Sequence, residues 1–145
     1  MNGKNIEVLH KISNYCDLIN GTVNRFGNEL TAFMNDKDYQ DSICMKLLQI
    51  GELTTHLSDD FKQEFSNEVD WRGSKLLRNI VAHRYGSIKF DEIWSIVTTE
   101  IPDIKSFCDE KIRIFDLINS PIKETDQDSF YDDEPLIIDR PNGRK

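Results

Sequence analysis

The chain has 145 residues with 18 basic and 26 acidic side chains, which give a formal net charge of −8 and a pI of about 4.8. This length is typical of one domain with a sizeable core, and the 38% hydrophobic content favours a globular chain over a disordered one. The acidic balance disfavours binding to nucleic acid over the whole surface, because phosphate contacts normally depend on a dominant basic surface. A local basic site remains compatible with the charge.

Cysteine spacing and the N-terminal residues predict the compartment. The three cysteines lie far apart in the sequence and form no CxxC pair, which disfavours a zinc site and a disulfide framework. The first residues contain no apolar core of a secretory signal, and no stretch approaches the ~18 apolar residues of a membrane span. We therefore expect reduced thiols, no membrane segment and a cytoplasmic location.

Helical periodicity extends over the first third of the chain. Apolar residues from Ile6 to Ile19 recur at spacings of three and four, and Asn20-Gly21 is expected to end this first helix. A second helix is predicted from Val23 to Phe33. After the polar break at 35–38, Asp38 is the expected N-cap of a third helix that runs to about Leu57.

The remaining helices are predicted from capping residues and apolar spacing. Ser58 is expected to cap a short helix that contains Phe61 and Phe65, and Ser74 a fourth helix that ends near Gly86. A fifth helix runs from about Asp91 to Thr99, and Pro102 opens the last one. No long alternation of apolar and polar residues predicts a strand. We expect an all-α bundle of about five or six helices within residues 1–120.

The tail at 121–145 has a different composition. Six acidic residues and no basic ones lie between Glu124 and Glu134. Such a segment is typically solvated and mobile. Its aromatic and aliphatic residues, among them Phe130 and Tyr131, also fit a segment that binds a partner or masks the protein's own site.

The stretch from Trp71 to Phe90 reverses the charge balance, with five basic residues and no carboxylate. On a helix, Asn79 and His83 are four residues apart and therefore adjacent. Arg78 and Tyr85 are two turns apart and share a side. We expect a guanidinium, an amide, an imidazole and a phenol to line one wall, opposite the apolar face of this helix. The basic residues are Arg72, Lys75, Arg78, Arg84 and Lys89.

This set of side chains suits metal-free cleavage of RNA. A histidine with a pKa near neutrality can take the proton of a ribose 2′-hydroxyl or return one to the leaving oxygen, and we assign that role to His83. Arg78 can stabilise the charge that builds up on the phosphorus oxygens. Asn79 can orient His83 or hold a phosphate oxygen, and Lys75 and Arg84 are the expected phosphate contacts.

No metal site is predicted, because the segment has one histidine and no nearby carboxylates. Two structural alternatives to catalysis stay open at this stage. A lone helical histidine is often structural, and the basic helix can simply pair with acidic neighbours such as Glu52 or Asp91. Trp71 is predicted to be a hydrophobic plug rather than a platform for stacking bases.

The run from Leu77 to Tyr85 resembles the R-x4-H-x-Y motif of the HepT-like ribonuclease toxins, a branch of the HEPN domains. The resemblance covers about residues 5–118 and combines several segments in order. They are Gln49-Ile50-Gly51-Glu52, Val69-Asp70-Trp71, Asp91-Glu92-Ile93-Trp94 and Ile101-Pro102.

The resemblance implies an all-α homodimer that brings two motifs into one composite cleft, and a metal-independent endoribonuclease without a cofactor. It further implies a toxin–antitoxin pair, in which a minimal nucleotidyltransferase antitoxin silences the toxin by transferring AMP from ATP to the motif tyrosine. By position, Arg78 and His83 are then catalytic, Asn79 is a supporting polar residue, and Tyr85 is the site of AMPylation. Phosphate on Tyr85 would neutralise the basic wall and block an incoming RNA phosphate.

Departures and rival functions remain. Leu53 stands where the family usually has a small residue, and Glu52 either pairs with Arg78 or has a structural role at the rim. The acidic tail lies outside the resemblance. The alternative function is a non-catalytic helical subunit that binds nucleotide or docks a nucleotidyltransferase, and the third is a purely structural dimer module.

Overall fold

The computed structural model describes residues 2–71 and 89–120. Its α-helices are α1 (Gly3–Phe26), α2 (Leu30–Met34), α3 (Lys37–Thr54), α4 (Asp59–Glu64), α5 (Phe90–Ser95) and α6 (Ile101–Asn119), with a π-helical turn at Ile96–Glu100. No strand occurs in these two ranges, so the all-α prediction is confirmed. The fourth predicted helix, from Ser74 to Gly86, and the tail at 121–145 lie outside the described residues.

The first helix is longer than predicted. It continues through Gly21 to Phe26 and ends at Gly27, whose φ of 116° is a conformation that favours glycine. A helical glycine costs roughly 1 kcal/mol, but Thr22 and Val23 extend the buried face and offset that cost. The predicted second helix therefore divides: Val23 belongs to the end of α1, and Phe33 belongs to the short α2.

The cap of the third helix was assigned to the wrong aspartate. The side chain of Asp36 accepts hydrogen bonds from the backbone amides of Asp38 and Tyr39, so Asp36 is the N-cap and Asp38 lies in the first turn. Both are acidic and favourable near the positive helix end, which is why the pattern alone did not separate them. The helix ends at Thr54, three residues before Leu57.

Ser58 caps α4 as predicted, since its hydroxyl accepts a hydrogen bond from the amide of Phe61. The buried amide side chain of Asn5 bridges this cap to α1. It donates to Ser58 Oγ at 3.2 Å and accepts from the Ser58 backbone amide at 3.1 Å. These hydrogen bonds fix the start of α4 against the first turn of α1.

The predicted fifth and last helices follow one another through the π-helical turn. The wider turn just before Pro102 accommodates a residue that cannot donate a backbone hydrogen bond. The hydroxyls of Thr98 and Thr99 donate hydrogen bonds to the carbonyl oxygens of Trp94 and Ser95. These bonds give the two carbonyls a side-chain donor where the regular α-helical pattern is interrupted.

The core lies where α1 packs along α3. Leu9, Ile12, Ile43 and Leu47 are fully buried there. The chain divides into a compact unit, Met1–Arg113, and a second unit, Ile114–Lys145. The predicted domain boundary after residue 120 stays a prediction. Among the described helices, none is both long and apolar enough to cross a membrane.

Candidate functional site

All six predicted site residues lie between residues 72 and 88, outside the described residues. They are Lys75, Arg78, Asn79, His83, Arg84 and Tyr85. The structure does describe both ends of this segment, at Trp71 and at Lys89. Trp71 belongs to one aromatic cluster, and a second aromatic cluster follows Lys89. These two clusters hold the described residues on either side of the segment in the fold.

The cluster at the N-terminal end contains Trp71. Its ring centroid lies 6.2 Å from that of Phe61 and 5.8 Å from that of Phe107, a buried residue of α6. Phe65 completes the cluster at 4.9 Å from Phe61 and 5.6 Å from Phe107. These tilted and edge-to-face contacts support the predicted packing role of Trp71. Its indole Nε1 is buried and has no hydrogen-bond partner in the described part of the chain.

A charged pair adjoins this cluster. Nζ of Lys111 lies 3.1 Å from Oε1 of Glu68 and stands 4.4 Å from the ring centroid of Phe65. Sequence reasoning missed both charged residues, because the partners are 43 positions apart. The available clue was weak: Lys111 follows Phe107 by one helical turn and therefore shares its face of α6.

The cluster at the C-terminal end holds α5 against α2 and α3. Phe90 and Trp94 lie 6.0 and 5.3 Å from the ring of buried Phe33. Tyr39, fully buried in α3, stacks on Phe26 at 4.9 Å and meets Trp94 edge-on at 6.1 Å. Rings from four helices thus fix the residues that follow the segment.

Glu52, the carboxylate of uncertain role, is an exposed residue of α3. Its neighbour Gly51 is buried, and Leu53 is half-buried. The side chain of Leu53 is therefore accommodated on this helix, which agrees with a harmless packing variation. Arg78 lies outside the described residues, so a contact between Glu52 and Arg78 stays a prediction.

The surface beside Trp71 is acidic. Glu68, Asp70, Glu100 and Asp103 line a groove of about 220 Å³ together with Val69 and Ile104. Carboxylates repel phosphate oxygens, so this groove disfavours an approaching RNA backbone. That the basic residues after Trp71 contact RNA phosphates stays a prediction, since residues 72–88 lie outside the described part of the chain.

The described residues outside the segment offer little chemistry. His10 and His56 are exposed, and no three ligand-type side chains within 2–71 and 89–120 are grouped so that they could hold a metal ion. Burial raises the pKa of Cys44 to about 11 and that of Cys16 to about 12, with Lys105 opposing the rise at Cys16. Burial also raises the pKa of Cys108. Thiols held protonated in this way are poor nucleophiles and metal ligands.

Comparison with known proteins identifies the family. The profile of the family described as ribonuclease HepT-like matches residues 9–110, which include the whole basic segment. The chain belongs to this family, and its class is therefore ribonuclease.

Individual relatives agree with this class. Two similar proteins come from Methanocaldococcus jannaschii. Their names, RNase MJ1380 and RNase MJ0127, give an RNase activity that is expected for them. They are 33% and 36% identical, over 54% and 55% of this chain and 79% and 68% of their own lengths. A protein named "Probable ribonuclease HepT" from Thermococcus cleftensis is 31% identical over 56% of this chain and 72% of its own. No solved structure matches the chain.

Proposed function

We propose that this protein is a metal-independent endoribonuclease in which Arg78 and His83 are the catalytic residues. The observation that carries the proposal is the family match over residues 9–110, which contains both positions. The charge distribution supports it, because the segment has five basic residues and no carboxylate in an otherwise acidic chain.

The proposed reaction needs one proton removed and one returned. The ribose 2′-oxygen attacks the adjacent phosphorus, loses its proton to a base, and forms a 2′,3′-cyclic phosphate as the bond to the 5′-oxygen breaks. His83 exchanges these protons, and Arg78 stabilises the negative charge on the non-bridging oxygens. Asn79 supports this arrangement, while Lys75 and Arg84 hold neighbouring phosphates.

We propose further that two protomers form a homodimer with both motifs in one cleft. Two short basic segments facing each other would provide the phosphate site that an acidic monomer lacks. Sedimentation velocity on the full chain tests this directly. A dimer at concentrations where the enzyme is active supports the composite cleft, and full activity from a monomer contradicts it.

The catalytic assignment is tested by substitution with matched controls. His83→Ala is expected to lower the cleavage rate in EDTA by roughly 10²–10⁴-fold, the usual contribution of a general acid–base residue. Arg78→Ala is expected to lower it comparably. His56→Ala and Arg113→Ala remove the same groups from exposed positions of the described surface and should leave the rate unchanged. A His83→Ala rate equal to that of the parent would refute the assignment.

The proposed regulation is AMPylation of Tyr85 by a minimal nucleotidyltransferase antitoxin, which makes the protein the toxin of a toxin–antitoxin pair. The phenolic oxygen would attack the α-phosphorus of ATP, lose its proton and release pyrophosphate. The added phosphate would then occupy the basic segment and exclude RNA.

Mass spectrometry tests this modification after incubation with the nucleotidyltransferase and ATP. We expect AMP-sized increments on the peptide that contains Tyr85, absent in Tyr85→Phe and retained in Tyr15→Phe. Complete silencing of the Tyr85→Phe protein by the same mixture would show that another mechanism inhibits the enzyme.

A further inference from the structure

Lys111 is a buried cation in an unusual environment. Its side chain is only 9% exposed, and its ammonium stands 4.4 Å from the ring centroid of Phe65 and 5.2 Å from that of Phe107. The Glu68 carboxylate lies 3.1 Å from the same ammonium. Burying a charge is costly unless it is paired, so the carboxylate and the two aromatic faces together make this position tolerable.

These contacts join α6 to the chain just before the basic segment. Glu68 precedes Trp71 by three residues, and Trp71 is the last described residue before the motif. Trp71 also packs on Phe107, one of the rings under the ammonium. Through its contacts with Glu68 and Phe65, Lys111 therefore holds the stretch from Phe65 to Trp71 against α6.

We propose that Lys111 is a positioning residue for RNA cleavage, because it fixes Glu68 and the Trp71 cluster and so sets where the segment with Arg78 and His83 begins. The kinetic part of this proposal rests on the proposed function. Displacement of catalytic groups by about 1 Å can cost ~10²-fold in rate, so loss of the Lys111 contacts is expected to impair turnover.

The test uses Lys111→Met, which keeps the apolar contacts of the side chain and removes its charge. Glu68 is 45% exposed and can be hydrated when its partner is lost, so the fold should survive. Lys111→Arg keeps the charge and should restore most of the activity. Lys105→Met is the matched control, because Lys105 lies on the same helix as Lys111. Its replacement removes ion pairs with Asp17 and Asp109, neither of which belongs to the Trp71 cluster.

Steady-state kinetics on one RNA substrate give the first readout. Lys111→Met should lower kcat by about 10- to 100-fold with KM within about twofold of the parent value, because the misplaced groups act on the reacting atoms. Lys105→Met should match the parent. Equal kcat values for the parent and Lys111→Met overturn the proposal, and so does an equal loss in Lys105→Met.

The indole N–H of Trp71 gives the second readout, which needs no activity. The chain has two tryptophans, and a Trp94→Phe sample assigns their two indole cross-peaks in ¹H–¹⁵N spectra. We expect the Trp71 indole to shift and exchange faster with solvent in Lys111→Met, and to stay unchanged in Lys105→Met.

The two readouts separate failure of this proposal from failure of the proposed function. If the parent does not cleave RNA, the function is refuted and the Trp71 spectrum alone decides whether Lys111 fixes this cluster. If His83→Ala is inactive but Lys111→Met keeps the parent kcat, only the positioning role is refuted, whatever the spectrum shows. An unchanged Trp71 spectrum with a reduced kcat likewise overturns it.

Discussion

The phenolic oxygen of Tyr39 donates a hydrogen bond to the carbonyl oxygen of Gly27 at 2.9 Å. A residue in the first turn of α3 thereby holds the residue that ends α1. Gly27 adopts a φ of 116°, and its own amide donates to the carbonyl oxygen of Val23. The turn after α1 is thus fixed from both sides, and Tyr39 is itself a member of the aromatic cluster that follows the basic segment.

Tyr39→Phe is expected to lower the free energy of unfolding by about 1–2 kcal/mol, because the carbonyl oxygen of Gly27 loses its partner in a mostly buried site. Urea unfolding followed by circular dichroism measures this. Tyr15→Phe is the control, since Tyr15 is half-buried and makes no hydrogen bond with other described residues through its phenol. An equal loss in both variants would show that the Gly27 contact contributes nothing specific.

The three thiols are expected to be unreactive in the folded protein. Burial raises the pKa of Cys44 to about 11 and that of Cys16 to about 12, so neither forms thiolate at neutral pH. A disulfide reagent at pH 8 should titrate all three cysteines in denaturant and react with the native protein only as fast as it opens. Rapid reaction of one thiol under native conditions would contradict their burial.

The same pKa values predict how stability changes at alkaline pH. Thiols in the unfolded chain ionise near pH 8.5, whereas Cys44 and Cys16 stay protonated in the folded state. Their folded pKa values are raised, so this stabilisation is complete below about pH 8.5 and is lost as pH rises toward 11 and 12. The unfolding free energy of the parent should fall more steeply than that of Cys44→Ala between pH 9 and 11, as measured by urea unfolding. Parallel curves would contradict it.

Asp109 gives the opposite pH dependence. Partial burial raises the pKa of its carboxyl, but hydrogen bonds from Lys105 and Ser13 and the Lys105 charge outweigh burial and lower it below its usual value. The resulting stabilisation is present above pH ~4 and is lost as pH falls through the folded pKa.

Asp109→Asn should therefore lower the unfolding free energy at pH 7, by less than about 1 kcal/mol because the carboxylate is half exposed. This difference from the parent should vanish at acid pH, and an unfolding titration between pH 2 and 7 measures it. A difference that stays constant with pH would show that the charge is not responsible.

Local patterns predicted most of the described helices because each signal acts over three or four residues. Ser58 caps α4 as its spacing to Phe61 indicates, and buried Ile12 and Leu47 lie on the faces that periodicity assigns. The errors arose where tertiary packing outweighs local preference. Gly21 stays helical because buried residues follow it. The last helix, by contrast, begins at Ile101, within one residue of the start that Pro102 predicts.

Contacts between distant residues were beyond sequence reasoning. The Lys111–Glu68 pair joins positions 43 apart, and Tyr39 reaches Gly27 across a turn whose course no pattern fixes. The motif itself was found by residue chemistry and resemblance, since charge reversal and a spacing of four or seven are visible in one dimension. Its geometry stays a prediction.

The ends of the RNA products test the central claim most directly. The full chain, incubated with a defined RNA in EDTA, should yield fragments that carry 2′,3′-cyclic phosphate and 5′-hydroxyl ends, identified by mass spectrometry. The His83→Ala protein should yield roughly 10²–10⁴-fold less of these fragments at matched time and concentration. Fragments with 5′-phosphate ends, or cleavage that EDTA abolishes in the parent, would contradict a metal-independent reaction through Arg78 and His83.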